Sequence, residues 1–105
     1  MQYRPLGSSG LRVSALVLGS DNFTNPTPAA ESERIIATAL DAGVNLIDTA
    51  NSYAAGAAEE LIGATLRKLG RDDVLMATKF HYPFGPGVHD RGNSRQAIIR
   101  ACEGS

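Results

Sequence analysis

The chain has 105 residues, of which 43% are hydrophobic and 20% are charged, and its formal net charge is −1. This composition is typical of one soluble globular domain. The near-neutral charge gives no basic surface for nucleic acid or anionic lipid, so neither partner is expected. The single cysteine, Cys102, excludes an internal disulfide and a cysteine-based zinc site, and it favours a reducing compartment.

The beginning of the chain lacks the pattern of a signal peptide or a membrane span. The longest apolar run near the start, residues 15–18, is far shorter than the ~7–15 apolar residues of a signal-peptide core or the ~20 of a transmembrane helix. We therefore expect a cytoplasmic protein that does not enter a membrane.

Residues 3–14 predict a β-hairpin whose turn begins and ends with a glycine, at Gly7 and Gly10. After the hairpin, an order of strand, loop, helix and turn repeats about every 30 residues, in units that begin at residues 15, 44 and 74. This repetition indicates a parallel sheet covered by helices. Both an open doubly wound sheet and a closed (β/α)8 barrel fit the pattern.

The ends of two helices are marked in the sequence. Gly70 is expected to terminate the second helix, and Asn93 or Ser94 to open the third. The third helix carries apolar residues on one side, and Cys102 is expected there as a small side chain that is buried in the full protein. These residues are Ile98, Ile99 and Cys102.

The chain holds fewer βα units than a closed barrel requires. A (β/α)8 barrel has eight units and typically ~250 residues, whereas this sequence contains just under three. The third strand would leave an unpaired edge, which is costly for a small domain. We therefore expect residues 1–105 to be a fragment of a longer protein rather than a complete one. The alternative is a truncated product with no activity of its own.

Three polar residues stand where functional groups gather in parallel α/β folds, at the ends of strands and in the loops that follow. Asp48 closes the second strand of the repeat, Lys79 closes the third, and Tyr53 lies in the loop after Asp48. A carboxylate that holds an ammonium beside a phenol would make the phenol an effective proton donor, because the ammonium stabilises the phenolate. If Tyr53 is left aside, the simplest interpretation of Asp48 and Lys79 is a structural ion pair at the rim of the sheet. The simplest interpretation of Tyr53 alone is an aromatic residue packed in a loop.

At these residues the sequence resembles the N-terminal part of the aldo-keto reductase family. The resemblance covers residues 3–79 closely and the third helix loosely. In the most distinctive segment, Tyr53 follows Asp48 by five residues, as in the family. The matching segments are residues 3–14, 18–19, 39–50, 52–53, 59–63 and 77–79.

The resemblance implies the N-terminal part of a (β/α)8 TIM barrel that reduces an aldehyde or ketone by hydride transfer. It implies a nicotinamide cofactor, with NADPH favoured over NAD, and a small carbonyl substrate. Tyr53 would be the general acid, Lys79 would activate it and Asp48 would hold Lys79. The cofactor would lie near Gly19, Ser20, Asp21 and Asp48. A non-catalytic, regulatory barrel of the potassium-channel β-subunit kind is the alternative role.

The histidines do not match the family pattern. The family histidine ends the fourth barrel strand, which lies beyond residue 105, whereas His81 and His89 lie in the loop after the third strand. His81 is close enough in sequence to Lys79 to line the carbonyl pocket, although an ordinary loop histidine is the simpler interpretation. His81, His89 and Asp90 lack the spacing of metal ligands, so no metal site is expected. The sequence does not define the oligomeric state.

Overall fold

The computed structural model describes all residues, 1–105. The chain opens with a hairpin of strands β1 (Tyr3–Pro5) and β2 (Arg12–Ser14), which pair antiparallel. The side chain of Asn45 fixes this hairpin to the rest of the molecule, because its Oδ1 accepts from the Ser14 amide at 2.8 Å and its Nδ2 donates to the Arg12 carbonyl at 3.0 Å. The hairpin therefore lies at the end of the sheet where the second parallel strand begins.

Behind the hairpin, three short parallel strands form a sheet in the order β3-β4-β5. The register pairs Gly19 with Asp48 and Asp48 with Ala77, so the carboxyl ends of all three strands meet at one edge. The strands are β3 (Leu18–Gly19), β4 (Leu46–Asp48) and β5 (Leu75–Ala77). The repeating βα units predicted from the sequence are thus present as a parallel sheet.

Three helices follow the strands: α1 (Ala29–Asp41), α2 (Ala57–Leu69) and α3 (Arg95–Gly104). Their boundaries agree with two sequence signals. Gly70 ends α2 in the left-handed conformation at φ +64°, and the Ser94 hydroxyl caps α3 by accepting from the Ala97 amide.

The hydrophobic core lies between the sheet and helices α1 and α2. Ile47 in β4, Ile36 in α1 and Ile62 in α2 have no exposed surface. Burial of such side chains is the main favourable term in folding. The remaining members of the core cluster are Phe23, Leu40, Ala58 and Leu66.

The first parallel strand is shorter than the apolar run 15–18 predicts. Leu16 is 65% exposed and Val17 47% exposed, and strand pairing starts only at Leu18. The reason is that the preceding residues are held by the hairpin: the Ala15 amide donates to the Gln2 carbonyl, and the Ser14 hydroxyl donates to the Leu16 carbonyl.

The buried side of helix α3 is not the side that the sequence predicts. Ala97 and Ala101, four residues apart, form its buried stripe, while Ile98 and Ile99 remain about 40% exposed. Cys102 is exposed in this chain, and its expected burial in the full protein stays a prediction. Apolar character alone suggested the bulkier residues, whereas the smaller alanines lie against the rest of the chain.

Candidate active site

The three polar residues predicted from the sequence meet at the carboxyl edge of the sheet. Asp48 is the last residue of β4, Lys79 lies two residues beyond β5, and Tyr53 opens a short turn, Tyr53–Gly56, that leads into α2. Because Asp48 and Ala77 are paired in register, the chain after β5 passes directly beside Asp48. The parallel register therefore positions the site.

The Lys79 ammonium makes three hydrogen bonds. Its Nζ lies 2.7 Å from Asp48 Oδ2, 2.9 Å from the Thr49 carbonyl oxygen and 3.0 Å from the Tyr53 hydroxyl oxygen. An ammonium has three N–H donors, so each donor has one acceptor. The full set of bonds fixes the position of the charge relative to the phenol.

The charges around Lys79 favour its protonated form. Partial burial lowers the pKa of Lys79, but the hydrogen bonds to Asp48 and Tyr53 and the charges of these groups outweigh it, so the net pKa lies above its ordinary value of 10.5. The side chains of Lys79 and Asp48 are still 49% and 42% exposed. The ammonium is therefore charged at neutral pH and accessible from solvent.

Tyr53 is held in place by a tightly bent segment. Its half-buried ring packs against the hydrophobic core, and its centroid lies 4.8 Å from Lys79 Nζ. The following residues Ala54, Ala55 and Gly56 all have positive φ, at 48°, 54° and 97°. Left-handed backbone at two consecutive alanines is unfavourable and is found mainly where the surrounding structure imposes it, often at functional sites.

A cavity of about 200 Å³ opens beside the phenol and the ammonium. Its walls are partly apolar, with Phe80 and Tyr82 on the side of the loop after β5. The lining residues are Ala50, Asn51, Ser52, Tyr53, Lys79, Phe80 and Tyr82. A larger cavity of about 750 Å³ lies between α2 and α3, and neither Tyr53 nor Lys79 lines it. The smaller cavity is therefore the one that gives access to the Tyr53 and Lys79 side chains.

The residues expected near a cofactor lie at the same edge of the sheet. Gly19 and Asp21 are exposed, and the space that a side chain would fill at Gly19 is open. Ser20 differs, because it is only 1% exposed and its hydroxyl donates to the Asp48 carbonyl at 2.9 Å. The Ser20 side chain thus supports β4, while the backbone at Gly19 and the carboxylates of Asp21 and Asp48 remain accessible.

His81 is not brought into the cavity with Tyr53 and Lys79. Its side chain is exposed, its Nδ1 lies 3.0 Å from Asn93 Oδ1, and its backbone φ is +132°. The residues on either side of it, Phe80 and Tyr82, line the cavity instead. The bond to Asn93 and the local backbone direction account for the difference from the sequence expectation.

Two contributions to the site were missed by sequence reasoning. The Thr49 carbonyl is one of the three acceptors of Lys79, and the Ser20 hydroxyl supports the backbone of Asp48. A backbone carbonyl leaves no signature in a sequence. The Ser20 contact had a weak signal, namely a small hydroxyl residue directly after β3 at the edge where the strands end.

The chain has no cluster of three or more histidine, cysteine, aspartate or glutamate residues that can hold a metal ion. None of its helices combines the length and the hydrophobicity needed to cross a lipid bilayer.

Comparison with solved structures identifies the fold. An aldo-keto reductase from Bacillus halodurans, in its holo form, superposes with a TM-score of 0.72 at 37% identity, over 83% of this chain and 28% of that protein. A thermostable aldo-keto reductase solved with the inhibitor epalrestat gives a TM-score of 0.76 at 30% identity, over 98% of this chain and 36% of that protein. The parallel βα units are therefore the N-terminal part of a (β/α)8 barrel.

The sequence comparisons give the family. The family model for aldo/keto reductases matches residues 15–105, and the chain belongs to the aldo/keto reductase family. Two curated relatives are named as probable voltage-gated potassium channel β subunits. The one from Oryza sativa subsp. japonica is 44% identical over 108 aligned residues, and the one from Arabidopsis thaliana is 42% identical. The chain spans about a third (33%) of the length of each of these relatives.

Proposed function

We propose that residues 1–105 supply the proton-donating part of an active site that reduces an aldehyde or ketone to an alcohol with NADPH, within a complete barrel. The observation that carries the proposal is the simultaneous contact of the Lys79 ammonium with the Asp48 carboxylate and the Tyr53 hydroxyl. Family membership supports the same reaction class.

In this proposal Tyr53 is the general acid. When bound, the nicotinamide supplies the hydride that reduces the carbonyl carbon. The Tyr53 hydroxyl donates its proton to the carbonyl oxygen, which leaves a phenolate 3.0 Å from a fixed positive charge. Stabilisation of developing charge by a preorganised group is among the largest contributions to catalysis. Water returns the proton to Tyr53 after the alcohol leaves.

Asp48 and Lys79 have supporting roles. The carboxylate keeps the ammonium charged and directs it toward the phenol, in keeping with the raised pKa of Lys79. A structural ion pair is the competing interpretation. Exposed pairs contribute only ~0–1 kcal/mol to stability, and this pair is nearly half exposed, so stability is a poor reason for the arrangement.

The accessible groups at the strand ends fit the sugar of a nicotinamide cofactor. The carboxylates of Asp21 and Asp48 are acceptors suited to ribose hydroxyls, and the open space over Gly19 allows a close approach. The preference for NADPH over NAD rests on the family resemblance. The partly apolar cavity of about 200 Å³ suits a small carbonyl compound.

The test is an assay of the full-length protein that carries this segment. NADPH oxidation is followed at saturating cofactor with a panel of small aldehydes and ketones, for the wild type and for Lys79→Met. We expect turnover by the wild type and a loss of about 10²–10⁴-fold in the variant, the usual contribution of acid–base machinery. A wild type that turns over no carbonyl compound, or a variant with full activity, contradicts the proposal.

A second function is favoured by the names of the curated relatives. The matches at 44% and 42% identity are to probable potassium channel β subunits, so a regulatory barrel that associates with a channel is the alternative. Co-purification of the full-length protein with a voltage-gated potassium channel subunit tests it. Binding that is unaffected by Lys79→Met, without carbonyl turnover, would favour the regulatory role.

A further inference from the structure

Glu59 makes a contact outside its own helix. It lies in the first turn of α2, and its Oε1 accepts a hydrogen bond from the Thr78 hydroxyl at 2.5 Å. Nineteen residues separate the two side chains in sequence. Thr78 directly precedes Lys79, so the bond joins α2 to the segment that carries the ammonium.

The position of Glu59 in α2 is one at which a glutamate commonly bonds within its own helix. Gly56 is the N-cap of α2, and Glu59 is the third helical residue, where a glutamate commonly turns back to the N-cap amide in a capping box. Gly56 provides no side chain for such a box, and α2 has no side-chain cap. The carboxylate of Glu59 is directed across to Thr78 instead.

The contact links α2, which follows the segment that carries Tyr53, to the residue that precedes Lys79. Tyr53 precedes α2 by the turn with left-handed Ala54 and Ala55, and Lys79 follows Thr78. The backbone holds the other side, because the Asn51 amide donates to the Lys79 carbonyl at 3.1 Å. The segments that carry the phenol and the ammonium are thus fastened on both sides.

We propose that Glu59 and Thr78 are positioning residues, whose hydrogen bond holds the end of β5 against α2 and thereby fixes the distance between Lys79 Nζ and the Tyr53 hydroxyl. The effect on reduction rests on the proposed function, whereas the effect on the position of Lys79 does not. Neither Glu59 nor Thr78 forms a hydrogen bond with Tyr53 or Lys79 side-chain atoms, so both act through the backbone.

The kinetic test uses Thr78→Val, Thr78→Ser and Glu59→Ala in the full-length protein. We expect Thr78→Val and Glu59→Ala to lower kcat about tenfold, below the ~10²-fold that a 1 Å misplacement can cost, with KM for the carbonyl compound unchanged. Thr78→Ser retains the hydroxyl, so its kcat should be close to that of the wild type. The double variant Glu59→Ala with Thr78→Val should be no worse than either single variant, because one bond is lost in all three.

Glu60→Ala is the matched control. Glu60 is an exposed acidic residue of the same helical turn, and its side chain has no hydrogen-bond partner. It should retain wild-type kcat. If it lowers kcat as much as Glu59→Ala, a general effect of charge near α2 explains the data and the proposal is wrong.

A measurement that does not depend on turnover tests the positioning role of Glu59 and Thr78 independently of the proposed carbonyl reduction. The titration of Lys79 is followed by NMR of its ¹³Cε in the same variants. We expect the pKa of Lys79 to fall toward its ordinary value of 10.5 in Thr78→Val and Glu59→Ala, and to remain raised in Thr78→Ser and Glu60→Ala. An unchanged titration in Thr78→Val and Glu59→Ala overturns the positioning role, even if the protein reduces carbonyl compounds. If Thr78→Val does not fold, Glu59→Ala against Glu60→Ala gives the same comparison.

Discussion

The Lys79 ammonium and the Asp48 carboxylate, 31 residues apart in sequence, lie 2.7 Å from each other at the carboxyl edge of the sheet. Their pairing follows from the parallel register of β4 and β5, which places Asp48 opposite Ala77. The same ammonium contacts the Tyr53 hydroxyl at 3.0 Å. The chemistry proposed for the site depends on these two distances.

Replacement of Asp48 by asparagine tests the role of the carboxylate. Asp48→Asn keeps the size of the side chain but removes its charge, so the pKa of Lys79 should fall toward its ordinary value of 10.5. In the full-length protein we expect kcat to fall by about 10–10²-fold, because a less firmly held ammonium stabilises the phenolate less well. Steady-state kinetics at saturating NADPH measure the change. Unaltered kcat in a folded variant would show that Asp48 does not support the reaction.

The raised pKa of Lys79 predicts a loss of stability in alkali. Above pH 10.5 the folded state retains the Lys79 proton more firmly than the unfolded state, so the stabilising contribution is complete below that pH and is lost as the pH rises through the folded-state pKa. Urea unfolding of the full-length protein and of Lys79→Met at a series of alkaline pH values measures it. The difference in unfolding free energy between the two proteins should shrink above pH 10.5. If the difference in unfolding free energy stays constant or grows with pH, the prediction of a raised Lys79 pKa in the folded state is wrong.

A polypeptide limited to residues 1–105 is expected to self-associate. The outer edge of β5 has no neighbouring strand, and Leu16, Val17 and Met76 are 65%, 47% and 43% exposed. Unpaired strand edges and exposed apolar side chains favour association. Sedimentation velocity should show concentration-dependent oligomers, and NADPH titration by fluorescence should show weak or no binding and no carbonyl reduction. A cooperative monomer that binds NADPH at micromolar concentration would contradict this prediction.

The sequence was most informative where local chemistry determines the structure. Gly70 ends α2 because the backbone there is left-handed, and Ser94 caps α3 through its hydroxyl. The spacing of the strands predicted parallel βα units, and parallel strands bring their carboxyl ends to one edge. From the sequence alone, these two inferences predict that Asp48, Lys79 and Tyr53 lie close together.

The remaining features depend on contacts between distant segments. Leu16 and Val17 do not join β3 because hydrogen bonds from the hairpin hold the chain before it. His81 lies away from the cavity because of its contact with Asn93. The bond between Glu59 and Thr78 joins α2 to the residue that follows β5, and no sequence pattern connects these two positions. Neither hydrophobic periodicity nor motif spacing contains information on such pairings.

The most direct test of the central claim compares Tyr53→Phe with Tyr82→Phe in the full-length protein. Both tyrosines line the small cavity, but only the Tyr53 hydroxyl contacts Lys79 Nζ. The measurement is the single-turnover rate of NADPH oxidation with a good aldehyde substrate, with cofactor affinity determined separately by fluorescence. We predict that Tyr53→Phe lowers the rate by about 10²–10⁴-fold with little change in NADPH affinity, and that Tyr82→Phe stays within a fewfold of the wild type. A near-normal rate for Tyr53→Phe would contradict its assignment as the general acid.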